Sequence, residues 1–224
     1  AQVPGWLPVA RYTPAGDHEA GGDFYDLFAV GEHHLVALIG DVMGRGLEAA
    51  AAMGQIRSTI RAYALDDPSP DSVMRRTDAF FEALQLTQLV TVLYLLIDRR
   101  TDQVSVCSAG HLPPLLHQAD GRTCLVPIEV GLPFGVAHDE RRTTTVCVPP
   151  GSTLLLYTDG LVERPTEDIE AGIDRLRRLL DDEPPQPTDG YLAHLAAQLQ
   201  EPSHEDDVTV LLLARTTAED ASGC

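Results

Sequence analysis

The sequence predicts an α+β fold in which antiparallel sheets are flanked by helices. Short apolar runs typical of strands come in two batches along the chain. Segments with helical periodicity are grouped between and after these batches. This grouping does not match the regular strand and helix alternation of a doubly wound parallel sheet. We therefore predict an antiparallel α+β sandwich.

The first batch is a pair of strands over residues 24–40, with its turn at Gly31-Glu32. An apolar stripe then predicts a helix of about five turns that begins after Gly46. The stripe recurs at intervals of three or four residues: Leu47, Ala50, Met53, Ile56, Ile60 and Tyr63. A second helix is predicted from Asp71, because Asp is a favourable N-cap residue.

The second batch begins with a hairpin of Leu89–Asp98 and Gln103–Ser108. Two further strands, Pro113–His117 and Thr143–Val148, are expected to extend the sheets. Two more helices are predicted, with the Pro-rich segment Glu183–Pro187 between them. Their apolar residues at helical spacing are Ile169, Ile173, Leu176 and Leu180, then Leu192, Leu195 and Leu199.

Length and composition indicate one globular domain. The chain has 224 residues, 44% hydrophobic and 22% charged, which excludes a disordered chain and allows one sizeable core. We predict a single domain over residues 1–215 and a disordered tail over residues 216–224. The longest apolar stretch, Leu89–Ile97, is too short to span a bilayer, which requires about 20 residues.

The first residues and the net charge of the chain predict its cellular location and its classes of partner. The first residues lack a signal-peptide pattern, so we predict a cytoplasmic protein without membrane contact from this domain. The chain does not begin with Met, which allows an upstream domain, and one sequence leaves a homodimer open. A net charge of -18 repels phosphate backbones and argues against nucleic acid as a partner. The four cysteines lack the spacing of a zinc site.

Carboxylates lie at the ends of apolar runs that predict buried strands: Asp41 follows His34–Ile39, Asp159 follows Leu154–Tyr157, and Asp206 precedes Val208–Leu213. Adjacent antiparallel strands would bring such ends together. Each carboxylate alone is typical of a turn, a helix cap or a solvated loop. Together they favour Mg²⁺ or Mn²⁺, because both ions take hard oxygen ligands and because close carboxylates without a cation repel each other. The segments are Gly21-Gly22-Asp23, Gly40-Asp41-Val42-Met43-Gly44, Thr158-Asp159-Gly160 and Asp206-Asp207-Val208-Thr209.

Competing catalytic motifs are absent from the sequence. There is no H-E-x-x-H, G-x-S-x-G, Walker loop or G-x-G-x-x-G. The segment around Asp23 superficially resembles the signature of diguanylate cyclases, but Phe24 stands where that family has an acidic residue. A cyclase would also leave the other three carboxylate segments unexplained.

Six motifs in order resemble the SpoIIE-like branch of the metal-dependent PP2C (PPM) protein phosphatases. The resemblance covers the chain from about Leu7 to Arg215. It implies a four-layer αββα sandwich of two antiparallel sheets flanked by helices, with metals in a cleft at one end. The motifs are Gly21–Asp26, Gly40–Gly46, Ser108–Pro114, Gly131–Gly135, Thr158–Glu163 and Asp206–Thr209.

The resemblance also implies a site with two Mn²⁺ or Mg²⁺ ions. Asp41 would bridge the ions, and the Val42 carbonyl, Asp159 and Asp206 would complete the first site. Asp23 would serve the second site, partly through water. A bridging water would attack the phosphoryl group in line, without a phosphoenzyme.

The implied substrate is phosphoserine or phosphothreonine on a protein. In this branch it is usually a STAS-type antagonist in a partner-switching cascade that frees a sigma factor, often in a bacterial stress response and under an upstream sensor domain. The alternative is a catalytically silent phosphatase-like module that captures a regulatory partner. The complete set of Asp23, Asp41, Asp159 and Asp206 argues against that alternative.

Several positions depart from the wider PP2C pattern or leave two interpretations open. Met43 stands where that pattern often has a His that protonates the leaving oxygen. No obvious Arg precedes Asp23 to clamp the phosphate, and Arg11 is the nearest candidate. Gly22 stands where many relatives in the wider family carry a carboxylate. His111 is either a replacement acid or, the interpretation favoured here, a turn residue without an identifiable partner.

Two acidic residues and one helix keep two interpretations as well. Asp26 and Asp207 would either orient metal ligands or be exposed acids. Glu163 is expected to be a surface charge. The helix from Leu47 to Leu65 follows the metal loop directly, so it would be either a regulatory element that moves Asp41 or an ordinary core helix.

Overall fold

The computed structural model describes residues 4–14, 21–86, 88–136, 140–199 and 206–217. Eleven strands and four helices lie in this described part of the chain. The strands are β1 (Trp6–Thr13), β2 (Phe24–Val30), β3 (His34–Val42), β4 (Val90–Asp98), β5 (Gln103–Ala109), β6 (Leu115–His117), β7 (Thr123–Leu125), β8 (Val130–Gly131), β9 (Thr144–Cys147), β10 (Thr153–Tyr157) and β11 (Val208–Arg215). The helices are α1 (Leu47–Asp66), α2 (Pro70–Ala83), α3 (Ile169–Asp182) and α4 (Asp189–Leu199).

These elements belong to two compact units. The Asp41 unit comprises Gly16–Pro113 and Pro127–Val146. The Asp159 unit comprises Ala1–Ala15, Pro114–Val126 and Cys147–Cys224. A single domain over residues 1–215 stays a prediction. Of the predicted tail, residues 216 and 217 follow β11 without regular structure, and residues 218–224 lie outside the described residues.

The sheet of the Asp41 unit is built around β3 and β4. Strands β2, β3, β4 and β5 are antiparallel neighbours in this order, β8 joins β5 in parallel, and β9 also pairs with β5. Every residue from Leu35 to Gly40 is buried, which explains why β3 reads as a continuous apolar run instead of an alternating one. The predicted hairpin of β2 and β3 is confirmed, with its turn at residues 31–33.

Helix α1 forms where the apolar stripe predicts it, but the buried face differs. Ala49, Ile56, Ile60 and Ala64 are buried in the core of the Asp41 unit. The prediction was wrong for Leu47, whose side chain is 87% exposed. Leu47 is the first helical residue and follows two glycines with positive φ, so it projects from the start of the helix before the core begins.

The N-cap of helix α2 lies two residues earlier than predicted. The N-cap is Ser69 and Pro70 occupies the first turn, so the prediction of Asp71 as the N-cap was wrong. Proline suits this position because its fixed φ fits a helix and because the N–H groups of the first turn have no intrahelical acceptor. Asp71 lies in the first turn, where its charge complements the helix dipole.

The Asp159 unit holds a five-stranded sheet in the order β1-β11-β10-β6-β7, and its pairs are antiparallel. Strands β10 and β11 are predicted by their apolar runs and confirmed, whereas β1 and β7 were missed. Strand β1 is mostly half-buried and includes Pro8 and Arg11, so its apolar signal is weak. Both predicted helices, α3 and α4, are confirmed.

The two predicted extension strands join different sheets. Strand β6, from the predicted Pro113–His117, pairs with β10 of the Asp159 unit. Strand β9, from the predicted Thr143–Val148, pairs with β5 of the Asp41 unit. Among the described helices, none combines the length and apolar character needed to cross a bilayer.

Candidate metal centre

Strand pairing in the Asp41 unit brings Asp23 beside Asp41. Strands β2 and β3 are antiparallel, and Phe24 pairs with Gly40, so the residue before β2 lies next to the end of β3. The Val42 N–H donates a hydrogen bond of 3.1 Å to the Gly22 carbonyl, which extends this pairing by one step. Asp23 is buried and Asp41 is half-buried. Two of the predicted ligands therefore share one end of this sheet.

Gly22 is required by the close approach of the metal loop. A Cβ atom at this position would clash with the Val42 carbonyl oxygen and would lie 2.8 Å from Asp41 Oδ1. These two oxygens, both predicted metal ligands, therefore lie close together. The missing carboxylate at position 22 follows from this packing, because the backbone leaves no room for a side chain.

We expect Gly22→Ala to weaken Mn²⁺ binding about a hundredfold, because the added methyl group displaces the Val42 carbonyl and the Asp41 carboxylate. Isothermal titration with Mn²⁺ measures this change. The control is Gly54→Ala, since a Cβ at Gly54 meets nothing within 4 Å. Equal Mn²⁺ affinity in the two variants would contradict the packing argument.

The loop after Val42 is open and turns sharply into α1. The Met43 N–H donates to the Leu89 carbonyl at 2.9 Å, which fixes the start of the loop on the residue before β4. Gly44 and Gly46 have φ values of 111° and 83°, a region that favours glycine. Met43, which stands where the wider PP2C pattern often has a His, is 66% exposed, so its side chain lies in solvent.

Strand pairing in the Asp159 unit brings Asp159 beside Asp206. Strands β10 and β11 are antiparallel, and Tyr157 pairs with Val210, so the end of β10 meets the start of β11. Asp159 begins a short 3₁₀ turn, and its Oδ1 accepts a hydrogen bond of 3.0 Å from the Gly160 N–H. Asp206 is exposed, and its Oδ1 accepts from the Asp207 N–H at 2.9 Å.

Two buried threonines that sequence reasoning missed hold these carboxylates together. The Thr158 N–H donates to the Thr209 carbonyl at 3.1 Å, and the Thr209 N–H donates to Thr158 Oγ1 at 2.9 Å. Each threonine lies within three residues of a predicted ligand, Asp159 or Asp206. Each motif contains one of these threonines. Their role follows only from the register between β10 and β11, which a single motif does not show.

The electrostatics of the Asp159 unit favour a bound cation. Burial raises the pKa of Asp159, and the carboxylates of Asp206 and Glu163 raise that pKa further. A divalent cation would relieve both effects, because it compensates the buried charge and the repulsion. The carboxylate oxygens of Asp159 and Asp206 also suit Mn²⁺ or Mg²⁺, which prefer oxygen ligands.

Each unit therefore brings together two of the four predicted carboxylates. Asp23 and Asp41 meet at one end of the first sheet, and Asp159 and Asp206 meet at the strand ends of the second. Across the described residues, no three side chains of His, Cys, Asp or Glu are arranged to hold a metal ion.

His111 is more than the turn residue that was predicted. Gly110 makes the turn with a φ of 69°, and the His111 side chain is only 3% exposed. Its Nδ1 lies 2.8 Å from Thr91 Oγ1, so it has the partner that sequence could not identify. Thr91 lies in β4, far from His111 in sequence, and only the fold brings them together.

The acidic residues with open interpretations have different surroundings. Asp26 Oδ1 accepts a hydrogen bond of 2.8 Å from Arg61, which ties β2 to α1. Asp207 is buried, whereas Glu163 is exposed as expected for a surface charge. Arg11, the suggested phosphate clamp, contacts both carboxylate oxygens of Asp189 at 3.0 and 3.1 Å, so its charge is already paired.

Comparison with known proteins extends this picture. A family model described as Stage II sporulation protein E (SpoIIE) matches residues 31–216, a range that begins after Asp23. Phosphoserine phosphatase RsbP of Bacillus subtilis is 28% identical over 204 residues, which cover 87% of this chain and 49% of RsbP. This chain thus spans about half the length of that relative.

Solved structures support the same relationship. The RsbU and RsbW domains of a Mycobacterium tuberculosis protein match with a TM-score of 0.86 and 31% identity, over 96% of this chain and 61% of that one. RsbX in complex with magnesium matches in fold, with a TM-score of 0.71 and 19% identity over 95% of this chain and 96% of RsbX. These likenesses confirm the predicted α+β fold class.

Proposed function

This chain belongs to the SpoIIE family, in the SpoIIE-like branch of the PP2C phosphatases, and on that basis we propose that it is a metal-dependent serine/threonine protein phosphatase. The proposal rests mainly on one observation. Two separate strand pairs each end in two carboxylates, Asp23 with Asp41 and Asp159 with Asp206, at the positions that the family resemblance assigns to metal ligands.

The proposed centre uses five ligands. Asp41, the Val42 carbonyl, Asp159 and Asp206 would hold the first ion, and Asp41 and Asp23 would hold the second. Bound Mn²⁺ or Mg²⁺ would supply Lewis acidity, which acidifies water and neutralises charge on the phosphoryl group. The chain contributes fixed anionic oxygens, because backbone pairing holds each carboxylate at a strand end.

Direct attack of water on the phosphoryl group is the proposed reaction, so no side chain has to act as a nucleophile. Release of phosphate from p-nitrophenyl phosphate and from a phosphoserine protein tests this, with Mn²⁺, Mg²⁺ or EDTA present. We expect turnover with a divalent ion and none with EDTA. Asp41→Ala should remove the turnover of the wild-type chain in either metal.

A catalytically silent module that captures a partner is the competing function. Such a module would retain a phosphorylated protein at a one-to-one ratio and release no phosphate in any metal. A folded chain that behaves in this way would overturn the phosphatase proposal. The repulsion around Asp159 argues for the enzyme, since a module without metal gains nothing from a buried carboxylate beside two others.

The proposed substrate is a phosphoserine or phosphothreonine protein, with a STAS-domain anti-sigma antagonist in a partner-switching pathway as the specific expectation. The name of RsbP supports phosphoserine, and the pairing of RsbU and RsbW domains in the Mycobacterium tuberculosis protein supports the pathway. An upstream sensor domain, a homodimer, a cytoplasmic location and a regulatory role for α1 stay predictions.

Arg45 is the best candidate for contacting the substrate phosphate. It is exposed in the glycine-flanked loop three residues after Val42. Its guanidinium has no ion pair or hydrogen bond with another described residue, a property shared by Arg57 and Arg178. Arg45 alone of these three lies in the loop that carries proposed ligands. An unpaired guanidinium there suits the planar recognition of phosphate.

We expect Arg45→Ala to raise the KM for a phosphoserine protein about fivefold, with a smaller change in kcat, since an exposed charge-assisted contact contributes about 1 kcal/mol. Competitive inhibition by inorganic phosphate should weaken by a similar factor. Arg57→Ala is the control, because Arg57 is an exposed arginine on α1 that has no ion pair with another described residue. The assignment fails if both variants have the same KM.

A further inference from the structure

The pair formed by Thr91 and His111 lies next to the proposed metal centre and has no role in the proposed reaction. His111 is 3% exposed, Thr91 is half-buried, and Nδ1 of the histidine lies 2.8 Å from Oγ1 of the threonine. A buried imidazole usually needs a hydrogen-bond partner, and Thr91 supplies one. The position of Thr91 in β4 also places this pair beside a proposed metal ligand.

Thr91 is the direct cross-strand neighbour of Asp41. Strands β3 and β4 are antiparallel, and Asp41 pairs with Thr91 in their register. Residues directly opposite on antiparallel strands project from the same face of the sheet, with Cβ atoms about 5 Å apart. The Thr91 hydroxyl is therefore within reach of the Asp41 carboxylate, which is the proposed bridging ligand.

The fold holds His111 firmly in its position. Ser108 Oγ donates to the His111 carbonyl at 2.7 Å and accepts from the His111 N–H at 3.1 Å. The Gly110 N–H donates to the Gly131 carbonyl at 2.7 Å. Gly110 also bridges to Val92, the residue after Thr91 in β4. The segment from Ser108 to His111 is thus fixed against the strand that carries Thr91.

We propose that His111, acting through Thr91, orients the Asp41 carboxylate for metal binding. In the tautomer with a proton on Nδ1, His111 donates to Thr91 Oγ1. The hydroxyl proton of Thr91 is then available for the Asp41 carboxylate. Hydrogen-bonded partners behind a ligand set its orientation and basicity, and their loss typically lowers metal affinity 10- to 100-fold. This inference rests on the proposed function, because it assumes that Asp41 binds metal.

The chain contains a matched pair of the same chemistry elsewhere. His117 Nδ1 lies 3.0 Å from Thr123 Oγ1, and both side chains are buried in the Asp159 unit. His117 pairs with Thr153, at the opposite end of β10 from Asp159. If buried histidine and threonine pairs only stabilise the fold, the two pairs should behave alike when their hydroxyl groups are removed.

The experiment compares Thr91→Val, Thr91→Ser and Thr123→Val in this chain. Valine keeps the shape of threonine and removes the hydroxyl, whereas serine keeps the hydroxyl. Isothermal titration measures the Mn²⁺ dissociation constant, and thermal unfolding of the metal-free protein reports stability. We expect Thr91→Val to weaken Mn²⁺ binding at least tenfold, Thr91→Ser to stay within about twofold of wild type, and Thr123→Val to bind Mn²⁺ like wild type.

Two results would overturn the inference. If Thr91→Val binds Mn²⁺ as wild type does, or if Thr91→Val and Thr123→Val lose the same affinity, the pair is structural and the phosphatase proposal stands. If the folded wild-type chain neither binds Mn²⁺ nor releases phosphate, the phosphatase proposal fails together with the inference. His111→Ala should reproduce the loss of affinity seen in Thr91→Val, since it removes the donor to the same hydroxyl.

Discussion

Replacing Asp159 with Asn is expected to abolish metal-dependent phosphate release and to stabilise the metal-free protein. Loss of one anionic ligand removes several kcal/mol of charge stabilisation, so turnover should fall by about a thousandfold or more. Burial raises the pKa of Asp159, and the carboxylates of Asp206 and Glu163 raise it further. The ionised group therefore opposes folding near neutral pH, and a neutral amide removes that penalty.

Activity with Mn²⁺ and thermal unfolding in EDTA measure the two effects. Glu163→Gln is the control, since Glu163 is an exposed carboxylate near Asp159 that holds no metal in this scheme. This control should keep its turnover. An Asp159→Asn protein that retains a tenth of wild-type activity, or that melts at a lower temperature without metal, would contradict the assignment.

The largest loss of stability is expected from Asp78→Ala. Both carboxylate oxygens of Asp78 accept hydrogen bonds of 2.6 Å from Arg141, whose side chain is only 1% exposed. Arg141 also donates to the Leu132 carbonyl at 2.6 Å and lies 4.7 Å from the ring centroid of Phe134. Removing the carboxylate leaves a buried, unpaired guanidinium, so the free energy of unfolding should fall by about 3–5 kcal/mol.

Denaturant unfolding followed by circular dichroism measures this loss. The double variant Asp78→Ala with Arg141→Met should recover much of it, because a buried ion pair can often be replaced by apolar side chains. Asp120→Ala, which breaks the exposed pair with Arg122, should have a much smaller effect. A loss no larger in Asp78→Ala than in Asp120→Ala would show that burial does not control this pair.

Local patterns in the sequence predict the elements that carry the proposed ligands. The run before Asp41 forms β3, and the runs beside Asp159 and Asp206 form β10 and β11. The expectation that antiparallel neighbours bring strand ends together is confirmed within each pair, because strand order and apolar burial follow from the same runs. Local rules also placed α1 and α2 within a few residues of their observed starts.

What the sequence could not provide depends on contacts between distant segments. The partner of His111 is set by the register of β4, and the partner of Arg141 lies 63 residues away in α2. A side chain at position 22 would clash with the Val42 carbonyl, and the sequence motifs do not show that these two residues are in contact. Arg11 was suggested as a phosphate clamp because of its place before Asp23, yet the fold pairs it with Asp189 at the start of α4.

The proposed centre depends most on Asp41 and Asp159, which we propose to be ligands of the same metal ion. A double-mutant cycle on Mn²⁺ affinity, measured by isothermal titration for wild type, Asp41→Ala, Asp159→Ala and the double variant, tests this proposal most directly. We expect each single variant to lose the tightest Mn²⁺ site. The double variant should bind Mn²⁺ no more weakly than the single variant that has the lower affinity. Losses that add fully, or a folded wild-type protein that binds no Mn²⁺, would contradict the account.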